Sequence, residues 1–200
     1  KILLDTKSHL SYPFFYKENN KIFIFPESGK SGKLSCYEYD PVNESIDFIK
    51  HLIELPLTDS SILKKNDKYW IFGAISENET NYELYVFFSE SLLGPYFPHS
   101  YNPVKSGLNG TRSAGNFIEV DGIIYRPTQN CKKEYGESIT INKVTELNEI
   151  NVAEEPFMTI CISEKNRYNN GMHTIHTINV LDKTIVVDGM HWTFSPVNQL

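Results

Sequence analysis

The sequence predicts an all-β fold of propeller type, and three observations carry that expectation. A short pattern recurs along the chain. His9-Leu10-Ser11-Tyr12-Pro13-Phe14-Phe15 leads to Lys21-Ile22-Phe23-Ile24-Phe25, and Asp59-Ser60-Ser61-Ile62-Leu63 leads to Lys68-Tyr69-Trp70-Ile71-Phe72. A third copy, Ala114-Gly115-Asn116-Phe117-Ile118, leads to Gly122-Ile123-Ile124-Tyr125-Arg126-Pro127. Each copy has a small or polar opening, an apolar strand, a charged turn and an aromatic-rich strand, and recurrence at ~40–50 residues is the mark of propeller blades. Aromatic residues form 13% of the chain, and they fall in short alternating runs that suit strands. No stretch shows the 3.6-residue period with caps that a helix requires.

Taken in order, the chain divides into units within one domain spanning 1–200. The first, about 9–52, holds the two opening strands, then Leu34–Tyr39 and Ile46–Leu52, separated by the turn Asp40-Pro41-Val42-Asn43. Four antiparallel strands joined by short turns make one blade. The second unit, about 55–100, places strands at Ser60–Lys64, Tyr69–Ile75, Tyr82–Ser89 and near Tyr96, with turns at Asn66-Asp67 and Glu77-Asn78-Glu79. A polar linker from Pro98 to Gly110 leads to the third unit, about 112–155, with strands at Ser113–Glu119, Gly122–Arg126, Ser138–Val144 and a weak one near Ile150–Val152. After a polar loop at Ser163–Gly171, the fourth unit, 172–200, shows two clear strands, Met172–Asn179 and Thr184–Gly189. About four blades are therefore visible, which points to a propeller that continues in a longer protein.

Composition narrows the function. The net charge is −6, with no basic block to grip a nucleic acid. No apolar run reaches the ~18–20 residues of a membrane span, and Lys1-Ile2-Leu3-Leu4 is followed at once by Asp5, Lys7 and His9, unlike a signal peptide. Cys36, Cys131 and Cys161 are odd in number, widely spaced and without paired metal spacing, which fits thiols in a reducing, cytoplasmic compartment. No cofactor motif is present: there is no phosphate-cradling glycine loop, nucleophile elbow or Cys-x-x-Cys pair.

Several motifs occur in an informative order. They are His9-Leu10-Ser11-Tyr12-Pro13-Phe14 with Pro26-Glu27-Ser28, Asp59-Ser60-Ser61, Ser91-Leu92-Leu93-Gly94-Pro95-Tyr96, Asn102-Pro103-Val104, Arg112-Ser113-Ala114-Gly115, and Arg126-Pro127-Thr128-Gln129-Asn130-Cys131 with Tyr135-Gly136. Over residues 9–180 this series resembles the amino-terminal domain of the glucosamine inositolphosphorylceramide transferase family. It is also similar to bacterial proteins of surface-polysaccharide synthesis, some fused to formyltransferase-like modules. The resemblance implies a five-bladed propeller related to glycoside hydrolase families 43 and 32. Such hydrolases carry an acid at the start of the innermost strand in each of three blades. Here Tyr12 stands at one such position, Asp59 at the next and Ala114-Gly115 at the third, while a further blade with its Asp is expected ahead of Lys1.

Glycoside hydrolysis needs two carboxyl groups flanking the bond. Asp59 and Glu27 are the candidates, although Asp59 would equally serve as a turn cap. Arg112 and Arg126 would clamp a phosphate, a carboxylated sugar or vicinal hydroxyls, or else form salt bridges between blades. Gln129 and Tyr135 offer neutral donors and a stacking surface, and His9 and Tyr12 border the same opening. His173 and His176 are three apart, so on a regular strand they point to opposite faces; this argues against a shared metal, and none is expected, but one of the two would face the funnel as a donor or general base, as His9 could. The leading expectation is a carbohydrate-active domain of glycan assembly that recognises a sugar, sugar phosphate or sugar nucleotide beside a fused or associated glycosyltransferase or formyltransferase. The alternatives are a glycosidase or transglycosidase using Asp59, and a non-catalytic docking scaffold.

Overall fold

The computed structural model describes residues 1–78, 81–162, 172–181 and 183–191. Its regular structure is antiparallel β-sheet apart from one 3-10 turn at Gly29–Ser31, and the strands form four sheets that follow one another along the chain. The first is the meander β1 (Ser11–Glu18), β2 (Lys21–Glu27), β3 (Leu34–Asp40) and β4 (Ser45–Ile53). The second comprises β5 (Thr58–Lys65), β6 (Lys68–Asn78) and β7 (Asn81–Ser89), with the short β8 (Phe97–Pro98) and β9 (Lys105–Ser106) both on the outer edge of β7. Asn102 fills out that edge: its side-chain amide accepts from Val86 N–H and donates to Val86 C=O, both at 2.8 Å.

In the third sheet, β10 (Asn109–Ser113) and β11 (Ile118–Val120) both pair with β12 (Ile123–Asn130), which is followed outward by β13 (Ser138–Leu147) and β14 (Val152–Cys161). The fourth is the hairpin β15 (Met172–Leu181) and β16 (Thr184–His191).

Two expectations for the third unit need correction. The strand expected over Ser113–Glu119 is interrupted, because the chain leaves the ladder between Ser113 and Ile118. The weak outer strand expected near Ile150–Val152 is the ten-residue β14. Its run of exposed residues hides the alternation, and Pro156 sits beside a register shift, where a missing N–H is tolerated. The loop expected at Ser163–Gly171 lies outside the described residues.

The core is divided into slabs between successive sheets. Phe14, Phe25, Leu34 and Cys36 pack against Ile62, Ile71 and Phe87. Trp70, Phe72 and Val86 pack against Ile124, Val144 and Leu147. Ile139 and Ile141 pack against Ile175 and Ile178. The second sheet is thus covered on both faces, so β6 reads as a continuous apolar run: Tyr69 and Ile71 enter one slab, Trp70 and Phe72 the next.

Each inner hairpin is built on the same two-residue turn. Asn19-Asn20 (φ 50° and 63°), Asn66-Asp67 (53° and 57°) and Asp121-Gly122 (50° and 75°) all take positive φ at both central positions. This is the type I′ signature, whose twist matches the flanking strands. Upstream of each turn the ladder slips, and a residue at the slip again has positive φ: Tyr12 (41°), Asp59 (46°) and Gly115 (126°). These are the three positions that the repeat pattern aligns.

The slips converge. Gly115 N–H donates to the Tyr12 hydroxyl at 2.6 Å, and Ser61 Oγ donates to Gly115 C=O at 2.9 Å. Tyr12 Oη also lies 3.1 Å from Ser61 Oγ and 3.2 Å from Gly115 C=O. Ala114 C=O accepts from Ile178 N–H at 2.7 Å, which fastens the fourth sheet to the same peptide. A Cβ on Gly115 would run into the Ile178 carbonyl. Gly115→Ala is therefore expected to destabilise the fold by about 2–4 kcal/mol, combining a disfavoured φ with overpacking. Denaturant unfolding checks this, and an unchanged midpoint would refute it.

Candidate functional site

A cavity of about 990 Å³ opens where the slipped positions meet. Its wall takes His9, Tyr12 and Glu27 from the first sheet, Asp59 from the second, Arg112, Gln129 and Tyr135 from the third, and His176 and Asp188 from the fourth. Eight of the ten residues that sequence reasoning nominated therefore line one space. Arg126 and His173 are not among the lining residues.

Asp59 is the centre of the polar floor. The backbone slip turns its side chain inward, where only 3% of the residue is exposed. One carboxylate oxygen accepts from Arg112 Nε at 2.6 Å and from Gln129 Nε2 at 3.3 Å. Glu27, at the end of β2, accepts from the Asp59 N–H at 3.1 Å. Burial raises the Asp59 carboxyl to about 6; Arg112 pulls it down and Glu27 pushes it back up. Burial opposes the charge on Arg112, but Asp59 more than restores it, so the guanidinium stays protonated.

Aromatic rings enclose the guanidinium, with Tyr82 at 5.0 Å and Tyr135 at 5.1 Å from its centre. Tyr135 remains 47% exposed and lies 4.4 Å from the His176 ring. His176 stands at a register slip in β15, with Nδ1 3.6 Å from Asp188 and Nε2 3.0 Å from Thr174 Oγ1. Burial lowers its pKa although Asp188 pulls upward, so the imidazole is neutral near pH 7.

The two carboxyls nominated for catalysis are neighbours, with Glu27 held on the Asp59 backbone N–H at 3.1 Å. The Asp59 carboxylate is also engaged by Arg112 and Gln129, which fixes the guanidinium beside it. The Tyr12 hydroxyl is spent on Gly115 and Ser61, which makes Tyr12 a brace as well as a wall. Among the described residues, no three His, Cys, Asp or Glu side chains gather as metal ligands.

Arg126 corrects the expectation that both arginines face the opening. It is fully buried, donates to Glu154 at 2.5 and 2.9 Å and to Gly110 C=O at 2.7 Å, and lies over the Phe72 ring. Each face of this blade is covered by a neighbour, so a strand arginine has an interior to enter. Sequence reasoning missed Asn116, Asn179 and Asp188. The first two are joined through Asn116 N–H and Asn179 Oδ1 at 2.9 Å. A lone Asp after Val186-Val187 was the available signal for Asp188.

Two outcomes follow. Arg126→Met leaves the Glu154 carboxylate, whose side chain is 7% exposed, with Lys105 Nζ at 4.0 Å, and is expected to cost about 3 kcal/mol in chemical denaturation; a neutral result would show that Lys105 or water takes over. Because Asp59 titrates higher in the folded than in the unfolded chain (about 3.9), the native state binds the extra proton. The contribution of Asp59 to stability thus falls as pH rises from about 4 through 6. Asp59→Asn removes that slope, on the order of 2 kcal/mol across the window; parallel pH–stability curves for wild type and variant would contradict it.

Comparison with known proteins places this geometry. A family profile described as "Glucosamine inositolphosphorylceramide transferase 1, N-terminal" matches residues 1–190. The chain is 34% identical over 160 residues to glucosamine inositolphosphorylceramide transferase 1 of Oryza sativa subsp. japonica, covering 78% of this chain and 22% of that protein. With the Arabidopsis thaliana protein of the same name it shares 32% over 182 residues, 88% of this chain and 24% of the relative. The chain thus spans less than a quarter of the length of these curated relatives.

Among solved structures, it superposes on the exo-β-1,3-galactanase of Phanerochaete chrysosporium with galactose at a TM-score of 0.62 and 10% identity, covering 92% of this chain and 44% of that one. The GH43_1 enzyme of Xanthomonas citri complexed with xylose gives 0.56 and 10%, covering 76% and 56%. These likenesses establish the fold as that of the glycoside hydrolase family 43 propellers. On the extent of the profile match and the identity to the two plant proteins, the chain belongs to the glucosamine inositolphosphorylceramide transferase 1 N-terminal family.

Proposed function

We propose that this domain holds a sugar in its central cavity during glycan assembly and does not itself cleave glycosidic bonds. The observation that carries the reading is the Asp59–Arg112 pair, fixed at 2.6 Å on the cavity floor beside the half-exposed ring of Tyr135. A guanidinium and carboxylates side by side present donors and acceptors in the alternation that ring hydroxyls match, and an exposed aromatic face suits the apolar face of a pyranose. Only the Nε of Arg112 is committed to Asp59, which leaves terminal N–H groups for a ligand.

The engagement of the Asp59 carboxylate by Arg112 and Gln129 argues against the glycosidase reading, and the polar floor argues against a scaffold whose central opening is inert. The curated relatives are named as a glucosamine inositolphosphorylceramide transferase. In such a setting the domain would position a glycan for a fused or associated glycosyltransferase; a formyltransferase partner is the other arrangement that the resemblance brings. No helix among the described residues is long and apolar enough to cross a membrane.

Calorimetric titration with a panel of monosaccharides and methyl glycosides tests the proposal. Tyr135→Ala, at a half-exposed position, is expected to keep the melting temperature and weaken binding about tenfold. Full affinity in that variant, or no binding by the wild type to any member of the panel, would sink the reading.

A further inference from the structure

We propose that the cavity selects an uncharged sugar, and that Asp59 is the specificity-determining residue that rejects phosphorylated ones. This inference rests on the sugar-binding reading above and narrows its substrate class. Arg112 looks at first like a phosphate clamp, but its charge is already balanced. Asp59 holds it at 2.6 Å, with both side chains largely buried (13% and 5% exposed), and Glu27 adds a second carboxylate 3.1 Å from the Asp59 backbone nitrogen.

Across the cavity Asp188 contributes another carboxylate, while its neighbour His176 is neutral near pH 7. Lys17 is the other cation among the described lining residues, so two cations face three carboxylates. A phosphate group brings one to two negative charges, and to reach Arg112 it would have to sit against Asp59 and Glu27 in a partly desolvated space where like charges repel strongly. A hydroxyl both donates and accepts, so it satisfies the carboxylate and the guanidinium together at no charge cost. Gln129, a neutral donor to Asp59 at 3.3 Å, keeps that carboxylate aimed at the floor.

Isothermal titration of the folded domain with three probes tests this: neutral methyl glycosides, the corresponding sugar 1-phosphates, and inorganic phosphate. Each is measured on wild type, Asp59→Asn and Glu27→Gln at pH 7.5. The wild type is expected to bind a neutral glycoside and to lose at least about tenfold in affinity when the sugar carries phosphate. Asp59→Asn keeps an acceptor for Arg112 but removes the opposing charge, so it gains about tenfold or more for inorganic phosphate, and Glu27→Gln gains in the same direction.

Wild type binding the sugar phosphate more tightly than the neutral sugar would overturn the inference and leave the sugar-binding reading intact. Phosphate gain in the variants without any sugar binding by wild type would do the reverse. Folded variants of both kinds with no phosphate gain overturn the role given to Asp59. Should Asp59→Asn not fold, Glu27→Gln decides the same point.

Discussion

The Gly115 peptide is where the first three sheets are joined, and the arrangement around it sets both the shape of the core and the position of the cavity. Tyr12 from the first sheet and Ser61 from the second meet its N–H and C=O, and the adjoining Ala114 carbonyl receives Ile178 N–H from the fourth. Each of these groups is partly or fully buried, so leaving one unpaired would cost more than the bond itself contributes. The apolar slabs hold neighbouring sheets together without fixing their rotation. The directional bonds at the axis do fix it, and they bring Asp59, Arg112 and Glu27 into register.

The same junction sets which side chains the three slips carry. The three slips are equivalent in the repeat, yet they carry Tyr12, Asp59 and Gly115. Tyrosine at one is compatible with glycine at another: a ring reaching across the axis needs the space that an absent side chain leaves, and the exposed peptide of Gly115 needs the hydroxyl. Once the pair is in place, two positions are committed to structure and one acid remains. Buried alone, that acid would be held neutral; with Arg112 beside it and Glu27 near it, it becomes part of a fixed polar surface.

Much of this was legible in the chain. Asn66-Asp67 and the charged turns of the other copies mark the inner hairpins, and the alternation after each turn gives the inner strands; that all three are type I′, with Gly122 in the turn rather than the strand, comes from the positive φ values. The break in the third inner strand was not legible, since Ala114-Gly115-Asn116-Phe117 is compatible with an extended run until the Ile178 backbone is seen to occupy the space beside Gly115. The two arginines show the limit most clearly. Arg112, between Thr111 and Ser113, and Arg126, between Tyr125 and Pro127, sit on neighbouring strands of one sheet, and neither set of neighbours says which arginine faces the axis. Their fates are decided by partners distant in sequence: Asp59 draws Arg112 toward the axis, and Glu154, on a strand the sequence barely marks, draws Arg126 inward.

Comparing these arginines also shows why only one of them is suited to a ligand. Arg126 makes both of its bonds to Glu154 through Nε and Nη2, and adds a backbone carbonyl, in a space with no exposure at all; a ligand would have to replace a complete ion pair. Arg112 engages Asp59 through Nε alone, and its guanidinium forms part of the cavity wall. A partly committed guanidinium loses little freedom when a hydroxyl arrives, because the carboxylate and two tyrosine rings already hold it in place. The buried acid therefore contributes most by keeping its neighbour rigid, and that rigidity comes with a negative charge that any incoming group must tolerate.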